Sequence, residues 1–233
     1  RTREVLGVPA SQCLCGLAAV ALKDATNCKL GVDYFIDKKI PMGGGLGGGS
    51  SDAATMLLAL NQLWQLNLSR DELMQIGLKL GADVPVFIFG QNAWAEGVGE
   101  QLTAIDLAQQ YHDQYYVVLT PQVHVSTAQI FANSALTRDT KPLKIADFSR
   151  AMNSSLFKND LEAVVCEEYQ AVASTLEWLK PYGEARMSGS GASVFVVVNS
   201  KQKAEELLAK KPENTTGFVA KGLIKHPHFD LAN

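Results

Sequence analysis

Between Gly43 and Gly49 six of seven residues are glycine, interrupted only by Leu46. A regular helix or strand resists such a run, because each glycine loses backbone freedom at a cost of up to about 1 kcal/mol relative to alanine. The segment is therefore a loop, with backbone N–H groups that no side chain shields. Ile40-Pro41-Met42 leads into it, and Ser50-Ser51-Asp52 leads out to a stretch where Ala53, Leu57, Leu60 and Trp64 recur on one helical face. The two serines and the aspartate are natural N-terminal caps, so the loop opens a helix. Bare N–H groups and the positive end of a helix dipole together make an anion site, and phosphate is the natural anion. A flexible linker explains neither the Pro-Met lead-in nor the capped apolar helix behind it.

The remaining composition narrows the setting. A chain of 233 residues holds one large domain or two modest ones. With 47% apolar and 19% charged residues it can build a core, which excludes a disordered chain. A net charge of −3 gives no electrostatic footprint for nucleic acid or an anionic membrane as main partner. No 18-residue apolar run is present. Cys13, Cys15, Cys28 and Cys166 form no C-x-x-C pair and have no histidine at zinc spacing, so they read as buried thiols in a reducing compartment. The sequence begins Arg1-Thr2-Arg3-Glu4, without Met or an apolar signal core, and reads as a cut end.

Along the chain, Leu30 to Ile36 reads as a strand feeding the glycine loop. Ser69 with Glu72 forms a capping box for a second helix that carries Leu73, Ile76 and Leu80 inward and stops at Gly81. Val84 to Phe89 reads as a short strand, which places Asp83 on a tight helix-to-strand connection. Further on, Tyr115–Thr120, Ala192–Val198 and Gly217–Ala220 read as strands. Asp160–Lys180 and Lys201–Lys210 read as helices, the first with Leu161, Val164, Val165, Val172, Leu176 and Leu179 on its apolar side. This alternation predicts an α+β fold with helices on one face of a sheet. Thr137 to Asp147 is the best flexible connection, but the composition shift near Leu107 to Asp113 marks the better domain border.

Three phosphate-binding patterns compete at the glycine loop. A Walker A loop needs lysine after its last glycine, and here Gly49 follows Gly48, so that pattern is excluded. The dinucleotide fingerprint matches numerically as Gly43-x-Gly45-x-x-Gly48, yet any glycine-rich run does so. Its acidic partner is misplaced as well, because Asp71 lies in the first turn of a helix. A third pattern, with the hydroxyls of Ser50 and Ser51 at the helix start, remains.

The run Pro41-Met42-Gly43-Gly44-Gly45-Leu46-Gly47-Gly48-Gly49-Ser50-Ser51-Asp52-Ala53-Ala54 resembles the phosphate loop of the GHMP kinases. Leu80-Gly81-Ala82-Asp83-Val84-Pro85-Val86-Phe87 and Ala95-Glu96-Gly97-Val98-Gly99-Glu100 narrow the resemblance to the branch that acts on a cytidine diphosphate methylerythritol. Met187-Ser188-Gly189-Ser190-Gly191-Ala192 is similar to the family's second glycine motif, and Phe218-Val219-Ala220-Lys221-Gly222 also fits. The resemblance runs from about Leu30 to Lys221. Nearer the start, Cys13-Leu14 and Leu17 stand where the family commonly has Asn-Leu and a later arginine.

The resemblance implies a GHMP kinase fold. Residues 1–106 would form the ATP-binding domain, like domain 2 of ribosomal protein S5, and 107–233 a ferredoxin-like C-terminal domain. It implies ATP-dependent, Mg²⁺-assisted phosphorylation of the 2-hydroxyl of 4-(cytidine 5'-diphospho)-2-C-methyl-D-erythritol in the non-mevalonate isoprenoid pathway. The alternatives are another GHMP kinase acting on mevalonate-like or sugar alcohols, or a silent nucleotide-binding homologue. A small-molecule partner, a monomer or weak homodimer, and a bacterial cytoplasm or plastid stroma follow from the same resemblance.

By resemblance Asp83 is the catalytic base and touches substrate. Pro41 to Ser51 cradle ATP, with Lys38 beside them, and Ser50 is the metal-side hydroxyl. Thr127 gives a polar contact and Phe131 an aromatic wall for cytosine. Gly97 and Val98 lie under the substrate, and Gly189, Ser190 and Gly191 narrow the wall beside the phosphates. The family also carries a lysine in an early strand that lies before Arg1, so the 233 residues alone are expected to transfer little phosphate.

Overall fold

The computed structural model describes residues 12–106, 113–143, 145 and 158–232. Arg1, read above as a cut end, and residues 107–112 of the expected border fall outside the described residues, as do 144, 146 and 147 of the polar connection. The chain divides into two compact units. The first comprises Arg1–Ile40, Gly47–Leu107 and Leu223–Asn233, and the second Pro41–Leu46 and Ala108–Gly222. We propose 106/107 as the domain border, one residue before the division of the units after Leu107, with Pro41–Leu46 counted in the second unit and Leu223–Asn233 in the first.

Among the described residues the first unit is built on four helices. Helix α1 (Leu14–Thr26) buries Ala18, Ala19 and Leu22 and ends at Asn27, whose φ of 54° is the left-handed conformation asparagine tolerates. Helix α2 (Gly48–Leu63) packs against α1 and buries Ala53, Leu57 and Leu60, with Trp64 at its C-terminal end. It begins two residues before the expected caps. Gly47, at φ 64°, is the residue outside the helix, while Ser50 and Ser51 lie within the first turn, so neither serine nor Asp52 is the cap.

Helix α3 (Arg70–Leu78) starts from the Ser69–Glu72 capping box, with both halves formed. It ends at Leu78, ahead of Gly81. The expected strand at 84–89 is instead helix α4 (Val84–Phe89), with Asp83 as its N-cap residue. Pro85 presets φ for a first helical turn, and a six-residue apolar run carries no period that separates strand from helix. Val84 and Ile88 join Leu57, Leu73 and Ile76 in one core. Buried Asn61 closes the loop behind α2 by donating to Leu68 O and accepting from Leu68 N, both at 3.0 Å.

Leu30–Ile36 does not form the expected strand. Tyr34 alone makes a bridge, the segment is otherwise irregular, and Leu30 and Phe35 stand exposed. Alternation gives an extended chain, but a strand also needs continuous backbone pairing rather than a single bridge. The unit closes with a hairpin of β1 (Ala93–Glu96) and β2 (Gln101–Ala104) and a 3₁₀ turn at Phe229–Ala232.

The second unit is an antiparallel sheet in the order β4-β5-β3-β6, from β3 (Tyr115–Pro121), β4 (Arg186–Met187), β5 (Val194–Val198) and β6 (Thr215–Lys221). Tyr115 pairs with Val198 on one side and Lys221 on the other. This is the order of a β-α-β-β-α-β unit, and helices pack against the sheet. Helix α5 (Thr127–Ala132) follows β3. The expected single helix from Asp160 is two, α6 (Asp160–Glu168) and α7 (Gln170–Leu179), parted at Tyr169, where φ −123° and ψ 84° leave the helical region. The seven-residue step from Val165 to Val172 preserves the apolar period across the break, so the pattern hides it. Helix α8 (Lys201–Ala209) precedes β6. Val117, Leu119, Val165, Leu179 and Val194 fill this core. All four cysteines are free; Cys13 and Cys15 are buried, but Cys28 and Cys166 are only half-buried.

Candidate active site

The glycine loop changes units at the Leu46–Gly47 peptide bond. In the first unit, Gly47 and Gly48 permit approaches a side chain would block. A Cβ on Gly47 would lie 3.0 Å from the Phe87 ring, and one on Gly48 would lie 3.0 Å from Ile40 and 3.5 Å from Lys38 Nζ. No side chain caps α2, so the first-turn N–H groups of Gly48, Gly49 and Ser50 keep their capacity for an external acceptor.

Lys38 reaches the same turn and pairs with Asp52 at 2.5 Å, both side chains partly buried. Lys39 pairs in solvent with Asp37. Phe87 lies one helical turn beyond Asp83, so its contact at Gly47 brings α4 to the N-terminus of α2. Asp83 is exposed, and its side chain does not cap its own helix. On the hairpin, a Cβ on Gly99 would lie 3.6 Å from Ala82 O, next to Asp83. Gly97, at φ 72°, leaves room for the Glu100 carboxylate, which accepts from Val98 N at 2.7 Å. Glu100's own N–H and then that of Val98 hold this carboxyl below its ordinary range. The Val98 side chain is exposed.

In the second unit, the first half of the glycine loop is laced to the second glycine motif. Ser193 N donates to Gly44 O at 3.1 Å, and Ser188 Oγ donates to Gly45 O at 2.8 Å. Gly45, at φ 70°, has no space for a side chain, since a Cβ would meet Ser188 O at 2.2 Å. Gly189 and Gly191 also take positive φ, and a Cβ on Gly189 would meet Gly45 O at 2.9 Å. Gly43 faces the His124 ring at 3.2 Å from its would-be Cβ, and Met42 is exposed. Thr127, the first residue of α5, shares a 2.6 Å hydroxyl contact with Ser190. Phe131 lies outside the core with 56% of its surface exposed.

The structure thus gathers Lys38, Gly47 to Ser51 and the start of α4 in one unit, and Gly43 to Gly45, Gly189 to Gly191 and Thr127 in the other. Sequence reasoning passed over Asp52 as a cap and did not single out Phe87, His124, Ser193 or Asn159. Asn159 donates to Gly189 O at 2.7 Å while accepting from Leu161 N, so it ties the second glycine loop to the start of α6. An asparagine just before Asp160-Leu161 is a cap signal that could have drawn attention to it.

The glycine loop runs into a helix that no side chain caps, and its first half is bound to a second glycine loop. The family described as "GHMP kinases N terminal domain" matches residues 13–91, and "GHMP kinases C terminal" matches residues 136–214. The chain belongs to the GHMP kinase family, and the match extends upstream of Leu30.

Curated relatives named 4-diphosphocytidyl-2-C-methyl-D-erythritol kinase include one from Burkholderia cenocepacia, 51% identical over 100% of this chain and 80% of its own length. Another, from Janthinobacterium, is 50% identical over 97% of this chain and 78% of its own. A crystal structure of 4-(cytidine 5'-diphospho)-2C-methyl-D-erythritol kinase superposes with a TM-score of 0.74 at 28% identity, covering 95% of this chain and 82% of that one. A homoserine kinase from Cytophaga hutchinsonii shares the fold at a TM-score of 0.69 and 16% identity, covering 97% of this chain and 81% of that one.

Proposed function

We propose that this chain transfers the γ-phosphate of ATP to the 2-hydroxyl of 4-(cytidine 5'-diphospho)-2-C-methyl-D-erythritol, a step of the non-mevalonate isoprenoid pathway. Identity of about half across the whole chain to kinases named for that substrate carries the reading. The geometry supports it independently, through an uncapped α2 N-terminus beside a cation and an exposed carboxylate on the next short helix.

Phosphoryl transfer asks chiefly for positioning and charge stabilisation. The N–H groups of Gly48, Gly49 and Ser50 hold phosphate oxygens, and Lys38, already at that turn, adds positive charge. Pro41 to Leu46, Gly47 and Ser51 complete the cradle. Gly189, Ser190 and Gly191 form its wall, and Gly97 and Val98 bear on the substrate. Asp83 accepts the proton of the 2-hydroxyl as its oxygen bonds to the γ-phosphorus and the bridge to the β-phosphate breaks, releasing ADP. Thr127 and the exposed Phe131 ring receive the cytosine, by hydrogen bond and by stacking.

Among the described residues no group of three or more His, Cys, Asp or Glu could hold a metal. In phosphate-loop enzymes a serine or threonine hydroxyl can serve beside the phosphates and water as a Mg²⁺ ligand. Ser50, in the first turn of α2, would offer that oxygen, and a bound Mg²⁺ would neutralise phosphate charge. Among the described residues no helix is long and apolar enough to cross a membrane.

The test is Asp83→Asn in the full-length protein, since asparagine suits an N-cap position equally well. Expected is retained ATP binding with turnover reduced at least about 100-fold, the low end for loss of a general base. A near-normal rate removes Asp83 as the base.

A further inference from the structure

Arg70 opens α3, but its side chain leaves that helix for the far end of α4. The guanidinium donates to Ile88 O and, at 3.4 Å, to Phe89 O, which are the last two residues of α4. It also donates to Phe229 O, 159 positions away, and lies 4.4 Å over the Phe229 ring. The segment carrying Phe229 is fastened to the same end of α4. His226 N donates to Gly90 O at 2.7 Å, Gln91 bridges to Lys225, and Lys225 Nζ sits 4.6 Å over the Phe229 ring. Gly90, at φ 70°, makes room for this, since a Cβ there would lie 3.3 Å from Phe229 and 3.4 Å from His226. All of these residues belong to the first unit.

A six-residue helix has little stability of its own, so its placement depends on what holds it. Along its apolar side that is the core; at its carbonyl end it is Arg70, a cation meeting the negative end of the helix dipole with a rigid fork of donors. The opposite end of α4, about 9 Å away at 1.5 Å per residue, is Asp83.

We propose that Arg70, together with the C-terminal segment it grips, is the positioning residue for Asp83. It fixes the axial and rotational setting of α4 and so the place of the carboxylate. The inference rests on the reading of Asp83 as the base. It differs from a purely structural role for Arg70, which would lower the amount of folded protein without changing the rate per folded molecule.

The test is a double-mutant cycle in the full-length protein, combining Arg70→Ala with Asp83→Asn and following single-turnover transfer of labelled γ-phosphate. Expected for Arg70→Ala is a fall in kcat of about 10- to 100-fold, the scale of an ångström-size misplacement, with KM for ATP within about twofold. In the Asp83→Asn background the same substitution should leave the residual rate unchanged. Arg70→Lys keeps the charge but loses the fork, and should fall between the two. With Phe229→Leu, which removes the ring under the guanidinium, it carries the test if Arg70→Ala does not fold. A kcat per folded molecule within about twofold of the parent in all Arg70 and Phe229 variants overturns the proposal, as does an equal loss in both backgrounds. A near-normal rate for Asp83→Asn alone overturns the base reading, and that single variant tells the two failures apart.

Discussion

Gly45→Ala probes the join between the two glycine loops with a single methyl group. Gly45 sits at φ 70°, where a residue with a Cβ costs about 1 to 2 kcal/mol. The added carbon would lie 2.2 Å from Ser188 O, 2.8 Å from Gly191 O and 3.0 Å from Gly191 N. All three are backbone atoms, so relief requires moving a loop, an overpacking cost of about 1 to 3 kcal/mol. Reduced freedom of the unfolded chain returns about 0.4 to 1 kcal/mol. The net is about 1 to 5 kcal/mol, up to a large share of a typical stability. For a protein of this size that lowers Tm by roughly 2 to 20 °C.

Two further variants calibrate the number in the same calorimetric or fluorescence melt. Gly43→Ala has the same backbone strain at φ 67°, but its neighbour is the His124 side chain, which can turn aside, so it should lose less. Gly31→Ala meets nothing within 4 Å and should melt with the parent or slightly above it. ATP affinity should fall in the same order if the laced loop is the phosphate cradle. A Gly45→Ala protein that melts with Gly31→Ala refutes the close approach and the constraint built on it.

Three other outcomes follow from the site and the core. Phe131→Ala should raise KM for the cytidine substrate by about 5- to 100-fold, the value of one base stacked on an aromatic ring, while Tm and KM for ATP hold; an unchanged substrate KM removes the ring from the cytosine site. Lys38→Met should weaken ATP binding by about 10-fold or more, as expected for a lost charge-assisted bond, with little change in stability because the Lys38–Asp52 pair is partly solvated; equal ATP affinity by calorimetry speaks against Lys38 in the cradle. Burial first, and neighbouring Cys13 next, push the Cys15 thiol up to about 12 from 9.0. Its contribution to stability is therefore complete below pH 9.0 and is lost as pH rises through about 12, where the unfolded chain ionises first. Denaturant midpoints should fall more steeply with pH in that window for the parent than for Cys15→Ala, and parallel slopes would contradict this.

Features set by neighbouring residues were legible in the sequence alone. Ser69 and Glu72 fix the start of α3 through a local box, and the β3, β5 and β6 cores are plain in their apolar runs. The glycine loop announced a backbone that must meet something, and the uncapped start of α2 agrees with that. What stayed hidden depends on distant partners. Val84–Phe89 is apolar throughout, so only its packing beside Leu57 and Leu73 decides for helix. Leu30–Ile36 alternates well, yet only Tyr34 in it is bridged. Ser188 reads as a loop residue until its hydroxyl meets Gly45 O, and Ser193 as a strand residue until its N–H meets Gly44 O. Arg70 reads as an ordinary first-turn residue, because its partner Phe229 lies 159 positions on. The proposed site residues come from the motifs, whereas the Lys38–Asp52 pair and the closeness of His124 to Gly43 needed the fold.

The most direct measurement is transfer of labelled γ-phosphate from ATP, with Mg²⁺, by the purified full-length protein to a panel of alcohols. The panel holds the cytidine diphosphate methylerythritol, mevalonate, homoserine and a hexose. Rapid labelling of the methylerythritol 2-hydroxyl is expected, slowed at least about 100-fold by Asp83→Asn, with little labelling of the others. Preferential labelling of mevalonate, homoserine or the hexose, or no labelling of any acceptor by folded protein that binds ATP, contradicts the proposed function.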